Sequence, residues 1–160
     1  MGMFDHVMCQ YPLPDLPEEG QKWTFQTKDM ECALWTYIIT PTGQLIHDIT
    51  RLESVPENER APKSATNRFP CLLREVLIEK DAKSTYTGFM EFGYYRTPQK
   101  DRPEIEINYL AYFDNGILQG VQLCDDYVPD HIKDQMLARI QKEHIQDCID
   151  IPTHHHIKKI

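Results

Sequence analysis

The side chains best suited to chemistry in this 160-residue chain are five cysteines, seven histidines and one compact polar run, Gln26, Thr27, Lys28 and Asp29. His144 and Cys148 stand four apart, a spacing that puts two side chains on one face of a helix, and His154, His155 and His156 follow. Zinc takes nitrogen and sulfur donors of this kind. The same two residues also continue an apolar row of Ile132, Met136 and Ile140, so packing accounts for them without a metal. No metal or other cofactor is therefore expected, and His144, Cys148 and His154 are the residues that would compete for one.

Cys9, Cys32, Cys71, Cys124 and Cys148 are widely spread, odd in number and without a Cys-x-x-Cys pair, which argues against a disulfide framework or a zinc knuckle. Nothing local joins any of them to a histidine base, as a cysteine nucleophile requires. The acid pairs Glu104 with Glu106 and Asp125 with Asp126 are explained by solvation and by the start of a helix. No phosphate loop or dinucleotide-type glycine turn is present, so the reading leans away from an enzyme.

Net charge is −8, which is unlike a general binder of phosphate backbones. Residues 1 to 50 carry seven acids and two bases, residues 51 to 100 seven acids and nine bases, and residues 101 to 160 eleven acids and six bases. Nucleic acid is not the expected partner, although acidic mimicry of nucleic acid is an alternative that the charge leaves open. With 41% apolar and 26% charged residues the composition is that of a folded domain, and no run of about 18 apolar residues marks a membrane span. The expected setting is the cytosol.

The elements that must position these groups are mainly strands. Phe4 to Tyr11 reads as a first strand, halted by Pro12, Pro14 and Pro17, and Trp23 with Phe25 opens a second apolar patch. Leu34 to Thr40 and Gln44 to Ile49 flank a Pro41, Thr42, Gly43 turn and form a hairpin. From Glu53 to Asn67 apolar residues almost vanish, which makes a long loop and a candidate lid or contact surface. Phe69 to Glu79 is the next strand, with Asp81 to Ser84 as its turn.

Tyr86 to Tyr95 carries aromatics on both faces and is expected to be central or covered on both sides. Glu104 to Phe113 alternates cleanly, with Ile105, Ile107, Tyr109, Ala111 and Phe113 on the core side. Asp114, Asn115 and Gly116 then turn the chain. A three-residue bulged loop pairing Phe113 with Ile117 is preferred over a two-residue loop pairing it with Leu118, because it aligns Val121 with Tyr109 and Leu123 with Ile107. Pro129 starts an amphipathic helix that Pro152 ends. The expectation is an α+β fold, a mainly antiparallel sheet of about six to eight strands with one C-terminal amphipathic helix. It forms a single domain over residues 1 to 152, with a mobile tail at 153 to 160.

The pattern Met3, Phe4, Asp5, His6, Val7, Cys9, Tyr11, Pro12, Leu13 and Pro14, followed by Phe25 to Asp29, resembles a family of small, uncharacterised phage and prophage proteins. The Leu34 to Leu45 hairpin, the Gly88 to Phe92 strand and Tyr109 to Ile117 are similar to it as well. The resemblance implies a phage or prophage product acting inside a bacterium, and it implies no reaction. Such accessory proteins commonly occupy the surface of a host protein, defence systems included. The expected contacts with a host bacterial protein are Gln26, Thr27, Lys28 and Asp29, together with Arg60, Lys63 and Arg68 of the long loop. The plainer reading of Thr27 and Asp29 is that they bond nearby backbone in a turn. The remaining alternative is a small enzyme or ligand-binding domain with a pocket under the 53 to 68 loop.

Overall fold

The computed structural model describes residues 2–60, 72–125 and 128–157, with side chains as far as Gln146. The chain folds into one eight-stranded sheet and a C-terminal helix, the α+β class expected. The strands are β1 (Asp5–Cys9), β2 (Thr24–Thr27), β3 (Thr36–Ile39), β4 (Leu45–Ser54), β5 (Leu73–Lys83), β6 (Gly88–Arg96), β7 (Ile105–Asp114) and β8 (Ile117–Cys124). Their order is β5-β4-β3-β1-β2-β6-β7-β8, and every neighbouring pair is antiparallel except β1 beside β3. Among the described residues no helix is long and apolar enough to cross a membrane.

The sheet rolls on itself. Leu45 N–H donates to the Gly116 carbonyl and Leu118 N–H to the Gly43 carbonyl, each at 2.8 Å, so the β3–β4 turn meets the β7–β8 hairpin across the rolled sheet. Closing a sheet in this way gathers one side of every strand inside. Val7, Phe25, Tyr37, Ile39, Met90, Phe92, Tyr109, Ala111 and Phe113 fill that interior at alternate positions of their strands. Phe92 stacks on Tyr109 at 5.7 Å, and Trp23 lies against Tyr94 at 4.1 Å and 9°.

A second, smaller core lies outside the roll, where α1 (Asp130–Ile157) sets Met136 and Ile140 on Leu110 of β7. β6 is thus central, with Met90 and Phe92 inside and Phe89 outside among the residues packed against the helix core, as its two-sided aromatics predict. Among the described side chains, only the first part of the helix row is packed. His144 and Ile145 are both exposed, Ile145 by 61%, so the expected inward place of His144 is not observed. The helix also continues past Pro152, its expected end. A proline within a helix forfeits one main-chain hydrogen bond but fits the helical φ.

Two further expectations change. The β7–β8 loop has two residues, not three. Phe113 pairs with Leu118 and Asp114 with Ile117, with Asn115 and Gly116 at φ 48° and 77°, as a type I′ turn requires. A shift between Tyr112 and Phe113 then leaves Gln119 as an extra residue, and Val121 pairs with Ala111 and Leu123 with Tyr109. The bulge does what the longer loop was invoked to do, returning Val121 to the core side. Similarly, Asp81 does not turn the chain, because β5 runs to Lys83. Asp81 adopts φ 52° where the β4–β5 register shifts, and its N–H is taken by Asp48 Oδ1 at 2.8 Å, so the turn-forming residue makes an irregularity within a continuing strand.

Asp5 is fully buried at the start of β1. Its Oδ2 accepts from Cys32 N–H at 2.7 Å and its Oδ1 from Ala33 and Trp35 N–H, each at 2.9 Å. An unsatisfied buried donor costs about 1–3 kcal/mol. Asp5→Ala strands three donors and is expected to destabilise the chain by roughly 3 kcal/mol or more, with Asp5→Asn costing less, as read from urea unfolding midpoints.

Candidate functional site

The outward face of the sheet is divided. The helix covers part of β6, β7 and β8, while a shallow groove of about 400 Å³ opens beside it between β2 and the end of β8. Gln26, Gly93, Asn108 and Cys124 form one row of directly paired positions across β2, β6, β7 and β8. Gly93 is the low point of that row. A Cβ there would lie 2.0 Å from Asn108 Oδ1, so the Asn108 side chain uses the space that glycine leaves.

Thr27 and Asp29 hold the near wall. Thr27 Oγ1 donates to the Glu91 carbonyl at 2.8 Å, Asp29 Oδ2 accepts from Glu91 N–H at 2.7 Å, and Asp29 N–H donates to Thr27 Oγ1 at 3.2 Å. These bonds continue the β2–β6 contact where the ladder itself has only two residue pairs. Thr27 is buried, and both groups are occupied by backbone. Gln26 and Lys28, on alternate positions, are exposed and line the groove. The four-residue run therefore splits into two that build the wall and two that face outward.

Tyr95 supplies the aromatic surface. Four other tyrosines are taken up by packing: Tyr109 is fully buried, Tyr86 and Tyr94 pack on the inner core and Tyr112 on the helix core. Tyr95 is 56% exposed beside the groove, its hydroxyl donating to Glu104 Oε1 at 3.2 Å. Glu91, Glu106 and Asp125 also border it, against the single cation Lys28, so the rim attracts basic groups. Sequence reasoning missed Gly93, Tyr95 and Asp125 as neighbours of Gln26, because their meeting depends on β2 pairing with β6, a contact across some 65 residues.

Arg60 does not join this surface. Its Nε donates to the Val55 carbonyl at 2.9 Å just past the end of β4, and β3 and β1 separate β4 from β2. Lys63 and Arg68 lie outside the described residues, as do the side chains of Cys148 and His154. None of the three concavities described is lined by residues 53 to 60, where the alternative pocket was expected.

Of the groups capable of nucleophilic or metal chemistry, Cys9, Cys32 and His144 are engaged in other ways. Cys9 Sγ donates to the Tyr11 carbonyl at 3.3 Å, and burial pushes its thiol up to about 11. Cys32 Sγ donates to the Lys28 carbonyl, and His144 Nε2 lies 2.7 Å from Gln119 Oε1. No group of three or more potential metal ligands assembles among the described residues.

Tyr109 donates its hydroxyl to the Pro14 carbonyl at 2.8 Å, and burial raises it to about 12. Both Cys9 and Tyr109 therefore release their protons later in the folded chain than in the unfolded one. Stability from these groups is complete below about pH 8.5 and falls as pH rises through 11 and 12. Urea titrations between pH 8 and 12 are expected to show that decline, and Tyr109→Phe is expected to flatten its upper part. No protein-family model matches the chain, and no curated protein or solved structure matches it either.

Proposed function

We propose that this chain is a non-enzymatic phage accessory protein that binds a host bacterial protein in the cytosol, one that obstructs a defence system, through the outward face around Gln26, Lys28 and Tyr95. The observation that carries this reading is the exposed tyrosine beside a groove walled by the Gln26 to Asp29 run. Tyrosine is favoured at interface centres because one rigid side chain offers a large apolar face and a polar end. The surrounding Glu91, Glu106 and Asp125 select a partner with basic groups at the contact. The phage setting comes from the N-terminal resemblance. The pinned carbonyl and amide of Glu91 support a rigid face, which lowers the cost of ordering on binding.

Affinity capture from a bacterial lysate, quantified by mass spectrometry, tests this reading. A stoichiometric host protein is expected on the native chain. Its recovery is expected to fall at least tenfold with Tyr95→Ala and to fall with Glu91→Lys, which opposes a cation to the partner's basic groups, while circular dichroism stays unchanged. Equal capture by the native chain and both variants would remove the outward face as the interface.

A further inference from the structure

β4 and β5 extend as a two-stranded arm at one end of the strand order, with β5 outermost and no strand on its second edge among the described residues. The arm is amphipathic. From Thr50 to Ser54 it pairs without interruption with Leu77 to Leu73, which places Leu52, Leu73 and Leu77 on one face. Those leucines are 69%, 49% and 52% exposed. The one acid on that face, Glu75, accepts from Thr50 Oγ1. The opposite face carries Arg51 bound to Glu53, and Arg74 bound to Glu59 just beyond the strand.

Of the thirteen large apolar side chains exposed among the described residues, Ile49, Leu52, Leu72, Leu73, Leu77 and Ile78 belong to this arm or its margin. Two strands alone are marginal in water, and an uncovered edge with apolar side chains is a template for another strand. The charges on β5 specify which strand fits. When two copies of one strand pair antiparallel in a sheet, the two-fold axis stands on a residue that faces its own copy. An axis on Arg74 or Glu75 opposes that charge to itself. An axis on Leu77 sets Arg74 against Lys80 and Glu75 against Glu79, and one on Ile78 sets Glu75 against Asp81. Of the axes from Arg74 to Ile78, which keep the strand paired on both sides, only that on Val76 opposes no like charges: Glu75 then faces Leu77, Arg74 faces Ile78, and Leu73 faces Glu79.

We propose that the chain forms a symmetric dimer by antiparallel pairing of β5 with β5 of a second copy, with the axis at Val76. The three central pairs, Glu75 with Leu77, Val76 with Val76 and Leu77 with Glu75, fall within the uninterrupted run of the arm. The axis stands perpendicular to the sheet, so Leu52, Leu73 and Leu77 of both copies lie on one face of a continuous four-stranded ribbon. The two Leu77 side chains are diagonal neighbours there, within reach of each other. The dimer is independent of the outward-face reading, since it uses the opposite edge of β3 and β1 from the groove.

Sedimentation of the full chain from 1 to 200 µM tests the pairing. The weight-average mass is expected to rise from 18.8 kDa towards twice that value. Val76→Lys, which sets two cations against each other at the axis, is expected to hold the chain monomeric with an unchanged circular dichroism spectrum. Val76→Cys reports the register, because directly opposed residues meet disulfide geometry. Under mild oxidation it is expected to give at least five times more covalent dimer than Leu73→Cys or the native chain. A native chain monomeric at 200 µM overturns the proposal. So does a dimer that Val76→Lys leaves intact, or cross-linking no greater at position 76 than at position 73.

Discussion

The Asp5 carboxylate holds together the crossing that carries the chain from β2 past β1 to β3. β3 lies parallel to β1 on the side away from β2, so the chain leaving β2 at Thr27 must cross the start of β1 before β3 begins. It does so between Lys28 and Trp35, with Cys32 and Leu34 in the left-handed region at φ 54° and 61°. Backbone turned in that way points several amides inward, and no strand partner is available for them. Asp5 takes three, while Leu34 N–H donates to the Phe4 carbonyl and His6 N–H to the Trp35 carbonyl. One charged side chain thus replaces a stretch of missing ladder, and the side chain stays buried because all its partners are backbone.

From that crossing the rest of the roll follows. Placing β3 beside β1 puts β2 on the other side, where it is the link to β6, β7 and β8. The β2–β6 contact is short, and Thr27 and Asp29 lengthen it by bonding both main-chain groups of Glu91. The rolled sheet then closes at Gly116, where φ is 77° and an added Cβ would sit 1.8 Å from the Ser84 carbonyl oxygen. A residue with a side chain is excluded there by both the backbone conformation and the space. Buried aromatics fill the enclosed volume, so the roll is a packed core.

What could be read from the residues was whatever depends on neighbours in sequence. The alternation of β7, the two-sided aromatics of β6 and the start of the helix at Pro129 were legible because each follows from local periodicity or turn chemistry. The β7–β8 register was not, since a two-residue turn followed by a bulge and a three-residue loop return Val121 to the same face. Asp81 misled because an aspartate at positive φ serves a turn and a strand irregularity equally well. His144 continued an apolar row on paper, but the helix outruns the surface beneath it after Ile140. For the site, the polar run was visible while its division was not, because the partner of Thr27 and Asp29 is 62 or more residues away.

The strand order separates the two outward features in a way that makes them compatible. The groove lies over β2, β6, β7 and β8, whereas the arm edge lies beyond β4, with β3 and β1 between them. A ribbon joined at Val76 would use backbone groups of β5 and leave Gln26, Lys28 and Tyr95 of each copy uncovered. Two copies would then present two such faces on one rigid frame. For a partner with two matching sites the second contact becomes intramolecular, and avidity can exceed a single contact by orders of magnitude when the geometry allows both. A modest groove, with one tyrosine and a mixed polar rim, needs such an arrangement more than a deep pocket would. On the two proposals taken together, pairing two weak faces would offset the small area of each.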